Sequence, residues 1–556
     1  MSEKESEKNP EISGARALVK VLELEGVDTI FGYPGGANLP ILDELRKSTI
    51  RHVLPRHEQG GAHMADGYAR VAGKTGVCLA TSGPGATNLV TGLANAMLDS
   101  VPLIAITGQI SRSLIGTDAF QEVDCINITM PVTKHNELVF SSQKLVEALK
   151  TAFYLANTGR KGPVLLDIPI DILEETYAHD LEISVELKGY NPTIVGNVGQ
   201  VKRALKILDK AERPLVLFGG GIVSAGAVNV FNQFIRETNI PVVRTLMGTG
   251  VVDDNDPLYL GMIGTHGHHH ANQAIQKEAD VVFVVGTRLG NRALVKNQLF
   301  AKNAKIIHLD IDPAEIGKNI ETNIPIVGDI KVVLEDMLTR ISKKPIRKES
   351  AWTGSERKRT KLSTRDGASV MEIIFTQLSS IDLQIHISTD VGRHQMWANH
   401  FCTNPKHLPL ITSGGLGTMG FGLPAAIGAW FADPQTPVIS ISGDGSFMMN
   451  MQEFVVAVEN EIPLTVLIIN DHRLSMIREL QRSDFGGRFV SHELGSSVDY
   501  VALAKAMGGS GSRITHKEQI VPTIVKSIKS KRPTIIDCDL EKIIKSSHLT
   551  IDSVAS

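Results

Sequence analysis

The stretch that most constrains this chain is 437–481, PVISISGDGSFMMNMQEFVVAVENEIPLTVLIINDHRLSMIRELQ. Two short apolar runs, 438–442 and 464–469, read as buried strands, and the 450–459 segment between them carries apolar residues at helical spacing. The first run ends in Gly443-Asp444-Gly445 and the second in Asn470-Asp471. In a parallel sheet both strands end at one edge, where ligands bind. Asp444 and Asn470 should therefore stand side by side. One carboxylate, one amide oxygen and a nearby backbone carbonyl form a hard-oxygen set. Such a set suits Mg²⁺, which keeps few protein ligands and completes its shell with phosphate and water. A Gly-Asp-Gly turn is common, so two ordinary strand-end turns would read the same way.

At 556 residues the chain has room for three or four domains. Its net charge of −3 gives no electrostatic case for nucleic acid or an anionic membrane. No apolar run approaches the roughly 18–20 residues that span a bilayer. The opening MSEKESEKNPE is charged, lacks the apolar core of a secretory signal and reads as a disordered tail. The four cysteines (Cys78, Cys125, Cys402 and Cys538) form no Cys-x-x-Cys pair. Cys78 and Cys538 lie in strand-like runs and read as small buried residues, so a reduced, cytoplasmic setting is expected.

Three α/β blocks follow from the alternation of strand-like and helical segments. The first, 12–180, has strand candidates at 29–31, 77–80, 103–107 and 164–168. The second, 200–341, has them at 215–218, 242–245, 281–285 and 306–309. A basic linker, 342–366, reads as a solvated crossover, since aromatics are sparse there. The third block, 367–540, has candidates at 386–389, 408–412, 438–442, 464–469 and 534–538. Blocks one and three match in size and alternation, as an ancient duplication would leave them.

Motifs punctuate all three blocks. The first holds FGYPGGA at 31–37, RHEQGGAHMADGYAR at 56–70, TSGPGATN at 81–88 and IGTDAFQEVD at 115–124. In this order they resemble the catalytic subunit of the acetolactate synthase (acetohydroxyacid synthase) family, in its FAD-containing biosynthetic branch. The Gly-Asp-Gly…Asn spacing likewise resembles the thiamin diphosphate motif. The resemblance covers nearly the whole chain. It implies three doubly wound parallel-sheet domains: pyrimidine-binding (12–180), central FAD-binding (200–341) and diphosphate-binding (367–540).

The resemblance also implies roles. Glu58 would hydrogen-bond N1′ of the cofactor's aminopyrimidine, and Gln121, Phe120 and Lys134 would line the substrate entrance. Tyr33, Pro34, Gly35, Pro84 and Asn88 would meet the cofactor from the first domain. From the third, Val391, Gly392, Arg393, His394, Gly417, Met419, Gly443, Gly445, Ser446 and Met476 would do so, with Met419 under the bend between the two rings. Asp444, Asn470 and the backbone carbonyl of His472 would hold Mg²⁺. Gly220, Gly221, Thr245, Leu246, Gly264, His266, Gly286, Arg288, Arg292, Asp310, Ile311 and Asp329 would contact FAD, which is structural in the family. The histidines at 266 and 268–270 also invite a metal reading, but consecutive residues rarely converge on one ion. Gly415-Leu416-Gly417-Thr418-Met419-Gly420 fits a dinucleotide fingerprint; the surrounding GGLGTMGFGLP places it instead in the family's cofactor loop.

Several positions depart from the family pattern. Gly290-Asn291 replace two acidic residues, and Arg393 replaces a glutamine while still suiting phosphate oxygens. Leu480 stands where a tryptophan shapes the second-substrate pocket, which predicts weaker preference for 2-oxobutyrate over pyruvate as acceptor. The tail, 542–556, lacks the family's usual ending. The expected reaction joins pyruvate, after loss of carbon dioxide, to a second 2-oxo acid. The expected assembly is at least a homodimer with shared sites, with a regulatory small subunit as a further partner. A decarboxylase, a pyruvate oxidase and a non-catalytic nucleotide binder are the competing readings.

Overall fold

A computed structural model describes residues 11–294, 300–343, 346, 352, 366–380, 384–401 and 409–546. Cys402, nearly all of the basic linker, the opening ten residues and the end of the tail lie outside the described residues. The chain divides into two compact units, one comprising 1–190, 386–393 and 411–541, the other 191–385, 394–410 and 542–556.

The first unit contains two six-stranded parallel sheets. In one, the order across the sheet is Arg51–Val53, Thr29–Gly32, Gly76–Ala80, Leu103–Gln109, Pro163–Pro169, His135–Leu138. In the other it is Ile411–Thr412, His386–Thr389, Val438–Gly443, Leu464–Asn470, Thr534–Asp539, Ser510–Ile514. Numbered along the chain, both sheets read 2-1-3-4-6-5. Their central strands, Leu103–Gln109 and Leu464–Asn470, are buried throughout because helices cover both faces. A short antiparallel pair, Glu11–Ser13 with Thr176–Ala178, lies beside the first sheet.

The helix after the second strand joins these two halves in each case. Glu58–Ala72 starts where the His57 side chain accepts from the Gln59 amide and stops at Gly73, whose φ of 65° is left-handed. Its counterpart, Gly422–Ala432 (GLPAAIGAWFA), is apolar on almost every side because it is buried on almost every side. The two helices touch backbone to backbone. A Cβ at Gly67 would fall 2.1 Å from the Ala425 carbonyl oxygen, and one at Gly428 would fall 1.8 Å from that of Met64. One hydrophobic core runs through both helices, from Met64, Ala65 and Tyr68 to Leu423, Ile427 and Phe431.

The second unit holds a third parallel sheet, ordered Tyr259–Met262, Val242–Arg244, Pro214–Phe218, Val281–Val285, Lys305–Asp310, Ile324–Val327. Numbered along the chain this is 3-2-1-4-5-6, the doubly wound dinucleotide order, with its switch point between Pro214–Phe218 and Val281–Val285. Thr245, the last residue of the expected strand 242–245, instead caps the turn Leu246–Gly248 after it. The expected helix at 450–459 begins as a 3-10 turn, Met451–Glu453, and becomes α-helical at Phe454–Glu459.

Candidate active site

In both sheets of the first unit, the proposed cofactor residues gather at the carboxyl edge around the point where strand order reverses. In the first sheet this edge carries the turn at 33–38, the Glu58 helix start and the turn at 81–88. Gly35 sits directly on Thr81, whose Cβ lies 2.4 Å from where a Gly35 Cβ would be, so only glycine fits. The Asn38 side chain ties the turn by accepting from the Gly35 amide and donating to the Tyr33 carbonyl, both at 2.9 Å. Asn88 Nδ2 donates to Glu58 Oε2 at 2.9 Å. The Glu58 carboxyl thus has one oxygen engaged and lies, half-buried, beside the Gly83–Asn88 turn. Pro84 is exposed on that turn.

Gln121 joins this group. Its φ is 62°, and its backbone packs against Gly83, where a Cβ would meet Gln121 Cα at 2.9 Å. The neighbouring Phe120 projects outward, 88% exposed. Buried Asp167 anchors the loop from below: it accepts from Thr107 Oγ1 at 2.6 Å and Gln109 Nε2 at 2.9 Å. Burial, only partly offset by these bonds, pushes the Asp167 carboxyl up to about 6. Lys134 is not brought to this group. It immediately precedes His135–Leu138, and its amide donates to the carbonyl of Pro163, where Pro163–Pro169 begins. It therefore lies at the opposite, amino edge of the sheet. Its ammonium donates to the Leu155 and Thr158 carbonyls, capping the Leu145–Asn157 helix, and to Tyr190 Oη.

In the other sheet the strand pairing sets the geometry of the Gly-Asp-Gly turn. Gly443 pairs with Ile469, so Asp444 and Asn470 are the next residues on adjacent strands. The turn opens a short helix, Asp444–Phe447, where the Ser446 hydroxyl accepts from the Gly443 amide at 3.0 Å. Asp444 is 4% exposed; burial first, then the neighbouring Asp471 carboxylate, push its carboxyl up to about 6. Burial raises Asp471 as well, against the pull of Ser475, Arg393 and Arg473. Asn470 Nδ2 donates to Asp537 Oδ1 at 2.9 Å, and Arg513 Nε donates to Asp537 Oδ2 at 2.8 Å. With its nitrogen so held, the Asn470 amide keeps Oδ1 as its acceptor. His472 adopts a left-handed φ of 59°, and its carbonyl accepts from the Leu494 amide at 2.9 Å, leaving a second lone pair.

A methionine closes over this turn: Met419 Cε would lie 3.8 Å from a Cβ on Gly445, and Leu474 and Leu494 crowd the same spot at 2.7 and 3.0 Å. A side chain at Gly445 would have to displace these leucine methyls. Gly417 and Gly420 have φ of 77° and 90°, which bends the loop that carries Met419. Met476 lies on the following helix, Ser475–Asp484. Val391 and Gly392 follow the His386–Thr389 strand; Arg393 and His394 open the helix Arg393–Phe401. Arg393 Nε pairs with Glu479 at 3.0 Å.

The sequence reading passed over Asp390. It is 1% exposed and accepts from the amides of Val391, Gly420 and Gly422 at 2.8, 2.9 and 3.1 Å. Burial pushes its carboxyl up to about 6. One side chain thus joins the diphosphate-type turn to the Met419 loop. Its position as the first residue after the expected strand 386–389 was the available signal. Glu453, fully buried, accepts from the Arg56 amide at 3.0 Å, two residues before Glu58, and its carboxyl is pushed up to about 7 by burial.

The second unit shows the same pattern at its own carboxyl edge, where the proposed flavin residues follow six successive strands. Gly220 and Gly221 follow the first, Thr245 and Leu246 the second, Gly264 and His266 the third, and Gly286 and Arg288 the fourth. Asp310 ends the fifth and Ile311 follows it, while Asp329 follows the sixth and caps Ile330–Lys343 by accepting from the Val332 amide at 3.0 Å. Gly221 lies on Gly286: a Cβ on the first would meet Cα of the second at 2.7 Å. The turns after the first and fourth strands therefore present bare backbone at the switch point. Gly264, with φ 107°, packs on the Arg292 carbonyl, which also accepts from the Thr265 amide at 2.9 Å. Gly290 and Asn291 are exposed. His268 Nδ1 accepts from the Met262 amide at 3.0 Å and its Nε2 lies 3.4 Å from His400 Nδ1. Among the described residues, no three or more His, Cys, Asp or Glu side chains converge as metal ligands, and no helix is long and apolar enough to cross a membrane.

Comparison with known proteins agrees with the three-domain architecture. Residues 12–128 match the thiamine pyrophosphate enzyme N-terminal TPP binding domain, 201–337 its central domain and 390–538 its C-terminal TPP binding domain. The chain is 44% identical over 545 residues to the probable acetolactate synthase large subunit of Methanocaldococcus jannaschii, covering 95% of this chain and 91% of that protein. It is 44% identical to the acetolactate synthase of Arthrospira platensis, covering 95% and 94% of the two chains. With the acetolactate synthase isozyme 2 large subunit of Escherichia coli it shares 41% identity over 96% of each chain. The chain belongs to the acetolactate synthase large-subunit family of thiamin diphosphate enzymes.

Proposed function

We propose that this chain catalyses the decarboxylation of pyruvate and the transfer of the remaining two-carbon unit to the ketone of a second 2-oxo acid. Two pyruvates would give 2-acetolactate and carbon dioxide; 2-oxobutyrate as acceptor would give 2-aceto-2-hydroxybutyrate. The observation that carries this reading is the pairing of two strand-end groups at equivalent edges: Glu58 held by Asn88, and Asp444 beside Asn470.

Thiamin diphosphate, when bound, supplies the carbon nucleophile and the electron sink that decarboxylation of a 2-oxo acid requires. The chain's own residues position it and manage protons. Asn88 holds Glu58 Oε2, so Oε1 is the oxygen to exchange a proton with the aminopyrimidine N1′. Asp444 and Asn470 Oδ1, with the His472 carbonyl, would hold Mg²⁺. The fit rests on Asp444 itself, a buried carboxylate facing a second one, for which a divalent cation is the natural compensation. Backbone amides at Gly445 and Ser446 would meet phosphate oxygens at a helix start.

FAD fits the glycine-lined switch point of the central sheet, in a structural role. A dimer at least, with sites shared between subunits, is the proposed assembly, and the large-subunit names of the relatives support a small regulatory partner. The setting proposed is cytoplasmic. Leu480 is 39% exposed on a helix with no buried residue, so it leaves an open wall at the proposed acceptor side.

The test is incubation with pyruvate, thiamin diphosphate and Mg²⁺, scoring acetolactate against acetaldehyde. Acetolactate is expected. Acetaldehyde alone, or flavin reduced by pyruvate, would assign the chain to a decarboxylase or oxidase instead. Competition between pyruvate and 2-oxobutyrate should show weak discrimination, sharpened by Leu480→Trp.

A further inference from the structure

The loop that carries Gly417 and Met419 belongs to the third domain, yet most of the groups that shape its first half belong to the first. Four side chains on two helices form this connection. Asp66 and Arg70 lie on Glu58–Ala72, and Asn95 and Asp99 on Val90–Asp99. Asp66 and Asn95 are 0% exposed, and the Asp99 side chain is 1% exposed.

Each of them has a defined bond. Asp99 Oδ1 accepts from the Gly415 amide at 2.7 Å, and Oδ2 from the Gly414 amide at 3.1 Å and from Arg70 at 3.0 Å. Asn95 Oδ1 accepts from Ser413 Oγ at 2.6 Å and Thr418 Oγ1 at 3.2 Å, while its Nδ2 donates to Asp66 at 3.0 Å. Ser413 Oγ in turn accepts from the Gly417 and Thr418 amides at 3.0 and 2.9 Å. Arg70 donates to Asp66 at 2.5 Å and to the Thr412 carbonyl at 3.1 Å. Burial opposes the Arg70 charge, but Asp66 and Asp99 outweigh it and hold the guanidinium above its usual range. Five loop residues, 413, 414, 415, 417 and 418, thus have a backbone amide or hydroxyl committed, directly or through Ser413, to groups more than 300 residues away in sequence. A loop with three glycines in five positions, 414, 415 and 417, has little shape of its own.

We infer that Asp66, Arg70, Asn95 and Asp99 are positioning residues that set the shape of the 413–418 loop, so that the first domain dictates how Met419 meets the cofactor. The inference rests on the proposed cofactor role of Met419, but the shape of the loop can be measured without ligand.

Two readouts test it on the full chain. In the cofactor-free protein, Asp99→Asn and Ser413→Ala should speed amide hydrogen exchange at Gly414, Gly415, Gly417 and Thr418 and leave the Val438–Gly443 strand unchanged. In titrations with thiamin diphosphate and Mg²⁺, Asp99→Asn should raise Kd about 10- to 100-fold, the loss expected for a buried charge-assisted bond, and alter the circular dichroism of the bound cofactor. Ser413→Ala, a small change that carries the test should Asp99→Asn not fold, should raise Kd about tenfold. Combining Asn95→Ser with Ser413→Ala should cost little more than the worse single change, because both cut one link. Unchanged loop exchange and unchanged Kd in folded variants, even with a lower Tm, would overturn the inference. A wild-type chain that takes up no thiamin diphosphate would overturn the functional reading, and faster loop exchange would still support the connection itself.

Discussion

The first and third domains are built on one plan and put it to different chemical use. Both order their strands 2-1-3-4-6-5, and in both the helix after the second strand carries the contact with the other. In the first domain that helix follows its strand after four residues, 54–57, and begins with a carboxyl, Glu58, held by an amide. In the third, nine residues, 413–421, intervene, four of them glycines, and this loop brings Met419 to the Gly-Asp-Gly turn. The first edge presents the half-buried Glu58 carboxyl, for which we propose proton exchange with a neutral ring. The third brings together two buried carboxylates, Asp390 and Asp444, and the partly buried Asp471, as the proposed anion-plus-cation site would demand. Topology therefore decides where a site lies, and the loops decide what it does.

The contrast can be broken most directly at Asp444. Asp444→Ala should abolish binding of thiamin diphosphate with Mg²⁺, measured by titration; retention of both would remove the third domain from the cation's site. Next is Glu58→Gln, which should cut kcat by about 10²- to 10⁴-fold, the usual contribution of a positioned acid–base group, while leaving Kd for the cofactor within a few-fold. An equal loss of binding would mean that the two edges are not divided as described. Third, Gly428→Ala should destabilise the chain by about 3 kcal/mol or more, since its methyl would fall on a backbone oxygen rather than a side chain that can move. A denaturant midpoint equal to wild type would contradict the close contact.

The smallest effect concerns pH. Burial raises the Glu453 pKa in the folded chain to about 7, above its unfolded value. The folded state therefore binds a proton that the unfolded chain releases, and stability falls as pH rises from about 4.5 to about 7. Glu453→Gln should flatten that slope, by up to about 3 kcal/mol. A slope of the same size in the variant would locate it at Asp167, Asp390 or Asp444 instead.

Much of this was legible from residues alone. Strands such as 215–218 and 281–285 are short apolar runs and fold as read, because a strand buried on both faces is built mainly of apolar residues. The strands that escaped notice are the outer ones, among them Arg51–Val53, His135–Leu138 and Ser510–Ile514, which carry charged and polar residues because one side meets solvent. The cofactor-type turns were legible through short local motifs that resemble those of the acetolactate synthase family. Asn95, Asp99, Glu453 and Asp537 did not, since each acts on a partner far away in sequence and no local pattern records such a pairing. Lys134 illustrates the converse: a local motif carried it towards the substrate, whereas the direction of its strand places it at the other edge.

The glycine contacts between the Glu58–Ala72 and Gly422–Ala432 helices have a mechanical meaning. Two helices whose backbones already touch at Gly67 and Gly428 have no layer of side chains to slide over and no rotamers to take up a displacement. The first and third domains therefore move as a single body, welded rather than hinged. Whatever opens to admit a 2-oxo acid and closes to keep out water must then be a loop at the rim, and the 413–418 segment is a loop already tied to this single body through Asn95 and Asp99.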